Sequence, residues 1–148
     1  MDGPGLSLDT ALNIAKTALK AGIDGGFAPL CVVVLDQGGH VLALLRDERA
    51  SLYRPQIATA KASACLGMGF GGRELARRAQ AMPQFFTALS TIFPDGMVPV
   101  PGGVLIRDAQ GRVCGAVGVS GDTSDNDEVC ALAGIRQAGL VADTGAPA

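Results

Sequence analysis

Two stretches constrain this chain more than any other part of it: CVVVLDQGGHVLALLRD at residues 31–47 and VLIRDAQGRVCGAVGVS at residues 104–120. Each carries an apolar, β-branched run into an aspartate, a glycine turn, a basic residue and a valine, which is the pattern of a β-hairpin. In each turn the aspartate, Asp36 or Asp108, can accept from N–H groups of its own loop, while a glycine of the turn takes the left-handed backbone. The chain therefore builds two antiparallel hairpins, and everything else must cover them.

The segments between the hairpins read as helices. Ser7 is a good N-cap, with Asp9 in the first turn and Leu8, Leu12, Ala15, Leu19 and Ile23 at helical spacing, until Gly22, Gly25 and Gly26 end the run. A polar loop over residues 47–54 leads to Pro55, well placed to start a second helix over residues 55–68. That helix is small or apolar on most sides and carries one charge, Lys61, so a buried position is expected. Arg73 to Met82 reads as an exposed helix, Pro83 interrupts it, and Phe85, Leu89 and Phe93 continue as a short amphipathic helix. Strand pattern resumes at Val98, and Thr123 or Ser124 caps a last helix with Asp125, Asp127 and Glu128 at its positive end. The order is helix, hairpin, helices, hairpin, helix. It predicts an α+β fold with a central antiparallel sheet of about five strands covered by helices, a layered, PAS- or profilin-like architecture. One domain is expected over residues 1–148, with an ordered core at about 6–140 and a frayed tail at 141–148.

Composition narrows the function classes. Charged residues make up only 18% against a usual fraction of about 25%, too few to cover the surface, so some apolar surface is expected to face another subunit. The net charge of −2 offers no basic stripe for nucleic acid. No apolar run approaches the roughly 18 residues of a membrane helix, and the acidic start lacks the pattern of an export leader, so a cytoplasmic protein is expected. Cys31, Cys65, Cys114 and Cys130 lie apart inside apolar elements with no C-x-x-C pair, which argues for core packing rather than zinc or disulfides.

Three features can carry chemistry. His40, the only histidine, leaves the first turn; alone it cannot build a zinc site, but it can serve as an axial haem ligand or remain an ordinary turn residue. Lys61 needs a partner if buried, with Asp36, Asp47 and Asp108 the candidates for a structural ion pair. It can also anchor a ligand carboxylate, such as a haem propionate, or act as a desolvated amine. Pro101, Gly102 and Gly103 either form a turn or let a flat ligand approach the backbone. The glycines of GAVGVSG at residues 115–121 lack a Walker lysine and precede acidic residues, so no nucleotide site is expected. No G-x-S-x-G elbow supports a serine triad.

These motifs together, D-x-G-G-H at residues 36–40, the helix-borne Lys61, P-G-G at 101–103 and G-A-V-G-V-S-G at 115–121, are similar to those of the GlcG/HbpS-like family, which includes the C-terminal domain of PduO corrinoid adenosyltransferases. The resemblance spans residues 6–140. It implies an α+β fold, assembly into homo-oligomers of even subunit number, and a ligand-binding role, haem in some members and sensing of haem and iron in a secreted type. Carried over, the family's histidine is His40, its lysine Lys61 and its P-G-G segment Pro101 to Gly103. The export signal of the secreted members is not expected here, and a single histidine excludes bis-histidine ligation within one subunit. The first functional expectation is haem or a related tetrapyrrole bound between subunits, with His40 on the iron and Lys61 near acidic substituents. The second is a catabolic isomerase or lyase acting on a small organic acid, with Lys61 and either His40 or Asp36 as acid and base. The third is an accessory or sensor module without chemistry.

Overall fold

The computed structural model describes residues 5–147. The elements follow as α1 (Leu8–Asp24), β1 (Cys31–Asp36), β2 (Val41–Arg46), α2 (Arg54–Met68), α3 (Gly72–Ala81), α4 (Pro83–Leu89), β3 (Gly103–Arg107), β4 (Val113–Ser120), α5 (Ser124–Gln137) and β5 (Val141–Asp143). The five strands form one antiparallel sheet in the order β2-β1-β4-β3-β5. The expected α+β fold, with two hairpins and helices over the sheet, is what the chain adopts.

Strand alternation divides the core in two. Val32 and Val34 of β1 pack with Ala11, Ile14, Ala15 and Ala18 of α1 and with Cys130, Ala131 and Ile135 of α5. Cys31, Val33 and Leu35 face the other way, onto Ala58, Ala62 and Cys65 of α2 and Leu75 of α3. The sheet is therefore covered on both faces, which explains why the central strands are apolar at nearly every position. All four cysteines are buried and free. Burial pushes the Cys65 thiol up to about 12 and those of Cys31 and Cys130 to about 11, so none supplies a thiolate near neutral pH.

The two hairpins share one turn. Asp36 Oδ1 accepts from the N–H groups of Gly38 (2.9 Å) and His40 (3.0 Å), and Asp108 Oδ1 accepts from Gln110 and Arg112 (both 2.9 Å). Gly39 and Gly111 have φ of 85° and 81°. Ser7 caps α1 through Thr10 N–H at 3.1 Å, and of the two candidates before α5 it is Thr123 that caps, through Asn126 N–H.

Three segments differ from the sequence expectation. The tail is not frayed from residue 141: Val141–Asp143 pairs with β3, Asp143 accepts from Arg107 Nε at 2.9 Å, and Thr144 O accepts from Arg73 N–H. Residue 148 lies outside the described residues. The strand expected from Val98 begins only at Gly103, because prolines at 99 and 101 remove two ladder donors. Phe93 falls outside a helix, α4 having ended at Leu89, and its ring lies over Gly67 of α2, where a Cβ would overlap it.

Candidate functional site

Lys61 lies where α2 crosses the middle of the sheet. The crossing is possible because Gly103 and Gly118, paired across β3 and β4, carry no side chains. A Cβ on Gly118 would overlap the Ala58 carbonyl oxygen, and one on Gly103 would stand 2.6 Å from the Lys61 carbonyl oxygen. With the helix backbone this close, the Lys61 side chain is only 4% exposed. Its Nζ donates to Val119 O at 2.9 Å and to Asp127 Oδ2 at 3.0 Å, and Asp127 Oδ1 in turn accepts from Asp122 N–H at 2.9 Å. The partner is thus Asp127 of α5, not Asp36, Asp47 or Asp108. Those three are held elsewhere by their own turns, the last two also by Arg49 and Arg112.

Gly102 completes this arrangement. It sits at φ 107°, and a Cβ there would stand 2.9 Å from both Lys61 Nζ and Val119 O. The P-G-G segment, the lysine and the end of GAVGVSG therefore meet at one buried ion pair rather than at an open surface. Burial pushes the Asp127 carboxyl above its ordinary range in spite of the adjacent ammonium. Taken alone, a raised carboxyl favours folding below its ordinary value of 3.8 and loses that contribution as pH rises through the raised one, so at neutral pH the charged Asp127 depends on Lys61.

His40 lies elsewhere. Asp36, in its turn, faces Gly115 on β4, whereas the Lys61 acceptor Val119 is four residues further along that strand, about 13 Å at strand rise. Lys61 and His40 are therefore not brought together. The imidazole is 83% exposed, with Nδ1 3.4 Å from Asp36 Oδ1, and it rests against Gly38, where a Cβ would be 3.1 Å from Nδ1. Nε2 is the nitrogen left for a ligand.

Beside this turn a cleft of about 460 Å³ opens, lined by Gln37, Gly38 and Gly39, by Ser63, Leu66 and Gly67 of α2, and by residues 92–95. It continues past Pro94 and Asp95 into a second hollow floored by Leu44 of β2 and walled by Pro55, Gln56 and Thr59. The two hollows form one groove along the outer side of α2. Ile92 is 72% and Leu44 38% exposed, and among the described residues Asp95 is the only charged side chain on its lining. Sequence reasoning found the turn but missed both the groove and Asp127. The wall at residues 92–95 carries no motif, and its position depends on Phe93 seating on Gly67.

Comparison with known proteins decides the family. The model of a family described as haem degrading protein HbpS-like matches residues 6–136. This chain belongs to the HbpS-like family. Among solved structures, a double mutant of Streptomyces reticuli HbpS is 28% identical over 93% of this chain and 89% of that chain, with a TM-score of 0.79. The PduOC:Heme complex is 21% identical over 93% of this chain and 98% of that one, TM-score 0.82. Protein ORFY of Klebsiella pneumoniae is 23% identical over 94% of each chain, TM-score 0.79. At these identities the last two speak for the fold. No curated protein matches. Among the described residues no helix is long and apolar enough to cross a membrane, and no group of three His, Cys, Asp or Glu side chains is placed to hold a metal ion.

Proposed function

We propose that this HbpS-like chain binds haem or a related tetrapyrrole in the groove beside the D-x-G-G-H turn, at a boundary between subunits. The observation that carries this reading is the groove itself. Its volume lies within the range of small-molecule sites, about 300–1,000 Å³. Its walls at Leu66, Ile92, Phe93 and Pro94 are apolar, as a flat macrocycle requires, and the only imidazole of the chain stands against Gly38 on its lining. The family description and the haem complex of the PduO relative point the same way.

The donor set fits haem in part. His40 offers Nε2 to an iron, with the Asp36 carboxylate on the Nδ1 side to orient the ring. Haem bound there would supply an iron centre with one protein ligand. The groove lining offers no cation for propionates, and Lys61 is sealed against Asp127, so acidic substituents would point outward from this subunit. Pro101, Gly102 and Gly103 would then serve the ligand only indirectly, by fixing α2 over the sheet.

A bulky residue at the groove tests the location. In haemin titrations followed at the Soret band, Ser63→Trp weakens binding about tenfold or more, an effect of at least roughly 1.4 kcal/mol. Thr17→Trp, in a separate cleft between α1 and α5, leaves it unchanged. Equal binding by both variants and the parent protein removes the ligand from this groove.

A further inference from the structure

The outer wall of the groove belongs to a segment held to the molecule by apolar contacts alone. Met82 N–H donates to Arg78 O before it, and Val98 N–H donates to Ala60 O at 3.4 Å after it. Among the described residues, every hydrogen bond of residues 83–97 closes within residues 82–97. The hydroxyls of Thr87, Ser90 and Thr91 donate to carbonyls three or four residues back in the same segment. Its one charge, Asp95, joins no ion pair among the described residues. What attaches it is Phe86, its one buried residue, with Leu89 and Met97 half-buried against the α2 side of the core and the Phe93 ring lying on Gly67.

Both ends of the segment are built to turn. Met82, at φ −136° and ψ 65°, separates α3 from α4 and precedes Pro83, so no helix runs through it. Gly96 sits at φ 80°. The seat of the segment is equally specific. Gly67 is the only glycine inside α2, and a Cβ there would overlap Cε2 and Cζ of Phe93. Glycine weakens a helix interior, and its use at this position is to seat the ring.

We propose that residues 83–96 form a flap that gates the groove, with Phe93 as its pin. Closed, the flap supplies residues 92–95 as the outer wall and leaves the Phe93 ring where a flat ligand would lie on Gly67. Lifting it breaks no hydrogen bond and no ion pair to the body of the protein, only the apolar contacts of Phe93 and its neighbours, so it opens at a free energy well below that of global unfolding. The ligand enters as the ring leaves, and the population of the open form sets the rate of association.

This names the regulation of the same groove and rests on the haem reading for its ligand, whereas the motion itself is measured without haem. Hydrogen exchange of the parent protein shows the amides of Phe86 to Leu89 exchanging together, ahead of those of α2 and the central strands. Phe93→Ala removes the pin and Gly67→Ala displaces it from the helix side. Each speeds exchange of the Phe86 to Leu89 amides about tenfold or more and leaves α2 no faster. Gln84→Ala, at an exposed position of α4, changes nothing. In stopped-flow mixing with haemin, the two pin variants associate about tenfold faster than the parent. Flap amides that exchange no faster than those of α2, or that respond to neither pin variant, overturn the flap. Faster exchange with an unchanged haemin association rate overturns the gate. If none of these proteins binds haemin, the haem reading fails and the exchange result alone decides the flap.

Discussion

Lys61→Met is expected to lose about 3–5 kcal/mol of unfolding free energy in urea, among the largest losses any single side chain here can cause. The loss comes less from the missing attraction than from what remains: Asp127, 1% exposed, left with a charge and no counterion. Removing both partners separates the two contributions. Lys61→Met with Asp127→Leu leaves only the Asp122 N–H and the Val119 carbonyl short of a partner, so the double variant stands within about 1–3 kcal/mol of the parent. A single variant that loses less than about 1 kcal/mol would mean that solvent or another group compensates Asp127.

Gly118→Ala is expected to cost about 4–5 kcal/mol or to prevent folding, because its methyl would occupy the place of the Ala58 carbonyl and force α2 off the sheet. The control is Gly111→Ala. That glycine has φ 81° but open space around it, so the cost is the backbone term alone, about 1–2 kcal/mol. Urea unfolding of the two proteins side by side distinguishes contact from conformation. Equal losses would show that α2 yields easily and that the Gly103 and Gly118 pair does not set its height.

The contrast between the hairpins and the lysine shows what a sequence carries. Both hairpins were readable because their determinants are local: Asp36 and Asp108 bond two to four residues away, and the glycine each turn needs lies between. Helix capping by Ser7 and Thr123 is local for the same reason. Lys61 announced only that it required a partner. That partner is 66 residues distant, on a helix whose acidic first turn reads equally well as ordinary capping, and only the packing of α2 through the glycine pair selects Asp127. The short β5 was hidden because three residues cannot display a period, and its place depends on the Arg107 to Asp143 contact with a neighbouring strand. The groove was hidden because it is a space between elements, walled by residues 92–95 that no motif marks.

This division also sorts the family motifs. The lysine, P-G-G and the end of GAVGVSG hold the scaffold together, whereas D-x-G-G-H lies at the rim of an open groove with its imidazole in solvent. We therefore propose the hairpin turn as the ligand-binding end of the chain, with the lysine keeping α2, the groove's inner wall, in place.

The Soret band of the haemin complex of His40→Ala tests that assignment most directly, since the chain has no second histidine to substitute. The account predicts a shifted and weakened band relative to the parent protein, with urea stability unchanged. An unchanged band position and affinity would contradict it.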